Sequence, residues 1–174
     1  MATIGYTTPG TAGMYGVANL GWTSHGVAAS SGTAAKIHFS CGAVGADTNV
    51  KVCLYGPVDA DGDPAGHALI AQAAGNASVS DDVSISLAGG TITAGQTYAF
   101  GILFASADTK VKYDAGSTGD AYMKTGLTYA SEWQDPCVAS WSGDNSHVSI
   151  WLEYTLAGGG TAVIAGSIAR RRRG

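Results

Sequence analysis

The stretch KIHFSCGAVGADTNVKVCLY, residues 36–55, decides the fold class of this 174-residue chain. Apolar and polar residues alternate in its first and last parts, as is typical of half-buried β-strands. The apolar face of the first part consists of Ile37, Phe39 and Cys41. The apolar face of the last part consists of Val50, Val52 and Leu54. The turn-forming sequence GADTN between the two parts predicts a β-hairpin.

The same alternation recurs along the chain. It is clearest in DDVSISL (81–87), QTYAFGILFA (96–105) and HVSIWLEYTL (147–156), and it is shorter in HALIAQA (67–73) and TKVKYD (109–114). Sequences rich in Asp and Gly separate these segments, and the 26 glycines disfavour helices. The pattern therefore predicts an antiparallel β-sandwich or jelly roll of about eight strands.

The length fits one domain with a tail at each end. Residues 1–14 are rich in Gly and Thr and predict an N-terminal arm that pairs with a neighbouring chain. Residues 15–156 hold the predicted strands. Residues 157–174 are expected to form a Gly-rich linker, a small apolar patch and a basic tail.

The charges of the chain fall into two opposed parts. Five lysines against thirteen acidic residues give residues 1–169 a net charge of −8. All four arginines follow them: Arg170, Arg171, Arg172 and Arg173. An acidic body disfavours nucleic acid, and no apolar run approaches the ~20 residues of a membrane span. We therefore expect the arginines to bind an acidic protein surface, including that of a second copy, although a solvated tail, nucleic acid and a membrane surface are alternatives.

Three cysteines cannot all pair with one another. Cys41 and Cys53 flank the predicted turn, but alternation places their side chains on opposite faces unless a bulge intervenes. We predict that both, together with Cys137, are reduced thiols, as suits a protein assembled in a cytoplasm. No secretory signal precedes the first strand. The spacing of the cysteines fits no zinc site.

Candidate metal and catalytic residues are sparse. Asp59, Asp61 and Asp63 alternate like the first ligands of an EF-hand, but Pro64 and Ile70 occupy the positions that such a loop gives to Gly and Glu. A turn without metal is the favoured interpretation. The histidines have no metal-ligand spacing, and no motif indicates a cofactor. The carboxylates of Glu132, Asp135, Asp144 and Glu153 could approach one another as in a glycosidase, yet nothing supports this over surface charge, and we predict no enzyme activity.

Four aromatic residues are candidates for binding. Tyr129, Trp133 and Trp141 lie in the loop-rich sequence YASEWQDPCVASWSGDN, residues 129–145, and Trp151 lies on the outward face of the final strand. An outward indole on a sheet is usually covered. The cover can be a segment of the same chain, a second subunit or a sugar ring.

Several stretches, read in order, resemble the jelly-roll domains of bacteriophage structural proteins from tails, fibres and capsid decoration. They are IGYTTPG (4–10), VKVCLYGPVDADGDPAGHALIAQ (50–72), VSISLAGGTITAGQTYAFGILFA (83–105) and KVKYDAGSTGDAYM (110–123). The resemblance covers residues 15–156 and implies a non-enzymatic virion protein, decorating the capsid or forming part of the tail.

This resemblance also implies capsid or tail subunits as partners, assembly in the bacterial cytoplasm, and a homo-oligomer such as a trimer. We expect attachment through the terminal arms, the four arginines and Trp151. The alternative is a module that recognises host-surface glycans through Tyr129, Trp133 and Trp141.

Overall fold

A computed structural model describes residues 1–16, 20–117, 119–131, 133–137 and 141–158. Within these ranges the chain is all β, with two antiparallel sheets and no helix, which confirms the predicted antiparallel β-sandwich. The first seven strands are β1 (Ala2–Gly5), β2 (Gly13–Tyr15), β3 (Gly21–Val27), β4 (Gly32–Ala43), β5 (Asn49–Val58), β6 (Leu69–Asn76) and β7 (Ser80–Ser86). The other seven are β8 (Thr91–Ile92), β9 (Thr97–Phe104), β10 (Lys110–Ala115), β11 (Ala121–Lys124), β12 (Ser142–Asp144), β13 (Ser146–Val148) and β14 (Ile150–Leu156).

The strands form an eight-stranded first sheet and a six-stranded second sheet. The order in the first sheet is β1-β14-β4-β10-β13, with β2 beside β10 and with β7 and β8 beside β4. The order in the second sheet is β12-β11-β3-β9-β5-β6. Strand β1 therefore lies at one edge of the first sheet, and β12 and β6 lie at the two edges of the second.

The main core lies between the two sheets. Its apolar side chains come from alternate positions of the long strands, as the sequence predicts. Those of β4 and β5 that are fully buried are Ile37, Phe39, Cys41, Val50, Val52 and Leu54. The inward residues of the last two strands are equally buried: Val148, Ile150, Leu152 and Tyr154.

The predicted hairpin at residues 36–55 is wrong. β4 belongs to the first sheet, where it pairs with β14, whereas β5 belongs to the second sheet, between β6 and β9. Both strands have a large apolar face, and these faces bury each other better across the core than side by side in one sheet. Residues 44–48 therefore connect the two sheets.

The expected number of about eight strands is also too low. Strands β1, β2, β8, β11, β12 and β13 contain only two to four residues, which is too short for a period of two to be visible. The seven-residue strand β3 is hidden for another reason. Its inward positions are Trp22, Ser24 and Gly26, so only one of the three is a large apolar residue.

The N-terminus lies in the sheet of its own chain. β1 pairs with β14 in antiparallel register, with Ala2 opposite Tyr154, which differs from the expected pairing with a neighbour. Residues 6–12 then cross the outward face of the first sheet. There the buried Ser149 hydroxyl accepts a hydrogen bond from the Gly10 amide at 2.9 Å and donates one to the Thr8 carbonyl at 3.0 Å.

Candidate functional site

The loop between β11 and β12 covers the outward face of the second sheet. It places Trp133, Cys137 and Trp141 against outward side chains of β5 and β9, such as Tyr55 and Leu103, and so forms a second apolar cluster. Every residue of β9 is buried because its two faces lie against two different clusters. The exposed fractions of Trp133 and Trp141 are 5 % and 7 %.

The polar atoms of this outer cluster are mostly bonded within it. The Trp141 indole N–H donates to the Cys137 sulfur at 3.1 Å, and the Tyr55 hydroxyl donates to the Gln134 carbonyl at 2.8 Å. The ring of Trp133 meets that of Tyr55 edge-on, with 6.4 Å between centroids. The two indoles are therefore core side chains rather than the open sugar-stacking surface that the glycan alternative expected.

Tyr129, the third predicted glycan contact, is half-buried beside the same loop. The ammonium group of Lys51 lies 5.2 Å from the centre of its ring, and this ammonium also donates to the Ser131 carbonyl at 2.8 Å. These contacts attach the loop to β5. The exposed part of Tyr129 is the one predicted aromatic surface that the described residues leave partly open to solvent.

A cavity of about 140 Å³ remains under this loop. Its lining includes Leu103, Leu127, Ser131 and Trp133. The indole nitrogen of Trp133 is buried and has no hydrogen-bond partner. An unpartnered N–H on a cavity side chain is a donor that a bound hydroxyl or carbonyl could satisfy.

Burial raises the pKa of all three cysteine thiols. Cys41 points from the first sheet into the main core, and Cys53 points from the second sheet into the outer cluster, so the two side chains lie in different clusters. All three are free thiols. The pKa of Cys53 is well above the usual range because this thiol is fully buried.

Trp151 is covered by its own chain. Its exposed fraction is 8 %, and its ring stacks on that of His38 with 5.2 Å between centroids. The His38 Nδ1 atom contacts Asp82 at 2.5 Å, and its Nε2 atom lies 3.4 Å from Glu153. The sequence allowed three kinds of cover for Trp151: the same chain, a second subunit or a sugar. The structure shows cover by the same chain. The indole is therefore not exposed for the partner contact that was expected of it.

The three candidate calcium ligands form turns. Asp61 accepts a hydrogen bond from the Asp63 amide at 3.3 Å, and Asp63 accepts one from the Ala65 amide at 2.9 Å. Such bonds from Asp side chains to nearby amides are the usual chemistry of tight turns. Across the described ranges, no group of three or more His, Cys, Asp or Glu residues is arranged to hold a metal ion.

The carboxylates considered for glycoside hydrolysis lie on different parts of the sandwich. Asp135 accepts a hydrogen bond from the Leu69 amide at the β6 edge of the second sheet, whereas Asp144 lies on β12 at the opposite edge. Five strand spacings separate these edges, which is about 24 Å and far more than a glycosidase pair allows. Glu153 is on the other sheet. Glu132 falls outside the described residues.

An apolar groove of about 350 Å³ lies at the end of the sandwich where both ends of the described chain meet. Its lining consists of Met1, Ala2, Thr3, Ala29, Ser30, Tyr154 and Leu156. At this end Met1 is 69 % exposed, and Val27, two residues before Ala29, is 60 % exposed. Residues 159–174, including the four arginines, lie outside the described residues, but the last described residue, Gly158, follows Leu156 by only two positions.

A polar cleft of about 260 Å³ lies at the other end of β1. Its lining consists of Gly5, Tyr6, Ser24, His25, Asp120 and His147. The Tyr6 ring stacks on His147 with 4.8 Å between centroids, and His147 Nε2 lies 3.4 Å from an Asp120 oxygen. No local pattern in the sequence indicates this cleft, because its residues come from four distant segments and have no common spacing.

His25 is a half-buried residue in the lining of the cleft. Its Nδ1 atom is buried without a hydrogen-bond partner. Desolvation lowers the pKa of the ring, although the negative charges of Asp120 and Asp61 oppose this shift. Gly62 has a φ of +86°, and its backbone packs against the ring where a β-carbon would clash.

The fold defines the class of the molecule as an all-β sandwich with an apolar groove and a polar cleft at the two ends of one edge strand. No protein-family model matches the sequence, and no curated protein matches it. A search of the described segments for a helix long and apolar enough to cross a membrane found none.

Proposed function

We propose that this chain is a non-enzymatic accessory structural protein of a bacteriophage virion, which decorates the capsid or forms part of the tail. The observation that carries the proposal is the position of the apolar groove beside Met1 and Leu156, at the point where the basic C-terminal segment departs. Attachment through terminal segments lets weak contacts add up over many copies in a particle.

Charge supports the same proposal. Residues 1–169 carry −8 and the arginines carry +4, so one copy presents both halves of a complementary contact. Opposite charges on one chain favour association between like subunits when their arms can reach a neighbour. Sixteen residues beyond Gly158 could span up to ~53 Å when extended.

Particle composition tests this function. Phage particles whose genome carries the gene for this chain should be purified on a density gradient, and their proteins identified by mass spectrometry. We expect the full chain at a fixed ratio to the major subunit, and we expect a variant with Arg170–Arg173 changed to Ser to be depleted. A chain that stays wholly outside purified particles would contradict the proposal.

A second candidate function, glycan binding, is favoured by the cavity beside Trp133. The Trp133 side chain lines this cavity and its buried indole N–H has no hydrogen-bond partner, so a sugar hydroxyl that entered the cavity could accept from it. Tyr129 of the same loop is partly exposed. A glycan array tests it with two matched variants. Trp133→Phe removes the unpartnered N–H, whereas Trp141→Phe removes an N–H that Cys137 already accepts. Glycan binding that is lost only in Trp133→Phe supports this candidate, and an array without signal removes it.

A further inference from the structure

We propose that the open edge of β1, with the apolar groove at one end and the polar cleft at the other, binds residues 162–173 of a second copy. This inference rests on the proposed function, because it names the partner and the surface through which that attachment works. Four features support it: the edge strand, the two pockets at its ends, and the order of residues in the C-terminal segment.

β1 is an edge strand. Its residues pair with β14 on one side, and the described residues place no strand on the other side. An unpaired strand edge offers backbone N–H and C=O groups to another segment. The edge is short, from Ala2 to Gly5, so pairing alone would bind a segment weakly, and the pockets at its two ends must supply the rest of the affinity.

The apolar end is the groove around Ala2, Ala29 and Leu156. Its volume of about 350 Å³ is enough for two or three aliphatic side chains, and the neighbouring Met1 and Val27 are the two exposed large apolar residues at this end of the sandwich. Burying aliphatic side chains here would remove apolar surface from water on both partners.

The other end is acidic. Asp120 lines the cleft, and the charge of Asp61 acts to raise the pKa of His25. Asp114 accepts a hydrogen bond from the Tyr6 hydroxyl at 2.8 Å. The pKa of Asp114 is lowered to about 2, first by the Thr11 amide and then by the Tyr6 hydroxyl, so this carboxylate is charged at neutral pH. An arginine side chain fits these surroundings through its positive charge and through a charge-assisted hydrogen bond to the Asp120 carboxylate.

The distance between the two pockets matches the C-terminal segment. From Ala2 to Tyr6 the chain advances by about 13 Å, at ~3.3 Å for each residue of a strand. In the segment AVIAGSIA, residues 162–169, the apolar positions precede Arg170 by two to seven residues. Apolar side chains in the groove therefore place the arginines within reach of the cleft.

A second copy is the occupant that suits the geometry. β14 ends beside the start of β1, so the same chain would have to pass around the exposed Met1 before it could lie along the far edge. The arm of a neighbour can approach that edge directly from solvent. Each subunit then gives one arm and receives one, and the contact can close into a ring or continue through an assembly.

The test uses the full chain and measures its mass by native mass spectrometry and analytical ultracentrifugation at micromolar concentration. We expect an oligomer that dissociates in high salt, because exposed charge contacts are screened. Replacing Arg170–Arg173 by Ser should weaken association by about tenfold or more. Excess free peptide of residues 158–174 should compete and return the chain to monomer.

Two variants in the docking surface decide the location. Ala29→Glu puts a charge in the groove, and Asp120→Asn removes the carboxylate of the cleft. Each should weaken association by about threefold to tenfold. Asp108→Asn, an exposed acid outside both pockets, is the matched control and should leave association unchanged.

Three outcomes would overturn the inference. They are a monomeric chain, an oligomer that the free peptide does not disturb, and an oligomer that survives Ala29→Glu and Asp120→Asn unchanged. None of these outcomes affects the result of the particle test. If the chain is found in purified virions, the proposed function stands even when this docking site is ruled out. A folding defect in Ala29→Glu would be recognised by circular dichroism, and Asp120→Asn then decides alone.

Discussion

The Tyr6 hydroxyl donates a 2.8 Å hydrogen bond to the carboxylate of Asp114, 108 positions later in the sequence. The other oxygen of the same carboxylate accepts the Thr11 amide at 2.7 Å and the Ala12 amide at 3.1 Å. One side chain of β10 thus fastens both ends of the segment that crosses the first sheet. The wall of the cleft depends on it, because Tyr6 stacks on His147 from this position.

Asp114→Asn should loosen residues 6–12, because the side-chain amide has no negative charge and only one oxygen, so it cannot accept from Tyr6 and from the Thr11 and Ala12 amides at once. We expect hydrogen exchange at Thr11 and Ala12 to accelerate by about tenfold. The β1–β14 pairing is independent of this carboxylate and should keep its protection. Unchanged exchange at Thr11 would show that the carboxylate does not hold the segment.

The same carboxylate predicts a pH dependence of stability. Its pKa is lowered to about 2 from an ordinary value of 3.8, so the folded state holds the charged form more tightly than the unfolded state. The contribution is complete above about pH 4 and is lost as the pH falls toward 2. Thermal unfolding between pH 5 and pH 2 should therefore show a steeper loss for the wild type than for Asp114→Asn. Parallel curves would contradict this assignment.

The sequence predicted the fold class and the inward faces of the long strands, because alternation at a period of two reports burial directly. Ile37 and Phe39 on β4 and Val52 on β5 are inward as expected. It did not predict which strands pair. Alternation is identical for a hairpin and for two strands that face each other across a core, so the pattern in residues 36–55 fits both arrangements, and the structure contains the second.

The candidate site was harder to predict than the fold. Trp133 and Trp141 lie in a loop, where an indole is expected to be accessible, yet this loop folds over the outward face of β9 and buries them. The two indoles pack in one cluster with Ala99 and Leu103 on the outward face of β9. In the sequence, a small alanine and a single leucine do not indicate an apolar outward face. The polar cleft and the apolar groove are lined by residues from opposite ends of the chain. A local sequence pattern cannot predict that such distant residues lie close together.

Trp141→Ala should destabilise the fold rather than remove a ligand contact. The indole is buried in the outer cluster, and truncation of a buried Trp costs about 3 kcal/mol or more of the free energy of unfolding. Trp141→Phe keeps most of the packing and loses only the hydrogen bond from the indole N–H to the Cys137 sulfur, so the free energy of unfolding should fall by less. Urea denaturation measures both values. Two variants as stable as the wild type would show that the loop does not depend on this side chain.

The three thiols should be slow to react in the folded chain. Burial raises the pKa of Cys53 furthest, which removes both access and the reactive thiolate. We expect alkylation of Cys53 at pH 8 to be at least about a hundredfold slower in the native protein than in urea. Mass spectrometry of the modified peptides over time gives the rates. Cys137 is the internal comparison, since it shares the outer cluster but belongs to the covering loop, and it should react first if that loop opens locally.

His25 should titrate below an ordinary histidine. Desolvation lowers its pKa from 6.5, and the charges of Asp120 and Asp61 offset only part of this effect. The unfolded chain therefore takes up the proton first as the pH falls, so the contribution of His25 to stability is complete above pH 6.5 and declines below it. The ring proton signals of His25, identified by their loss in His25→Gln, should give an NMR midpoint below 6.5, and the variant should lose less stability between pH 7.5 and pH 5.5. A midpoint at or above 6.5 would mean that the carboxylates outweigh burial. Asp120→Asn separates the two causes, because removing that charge should move the His25 midpoint still lower.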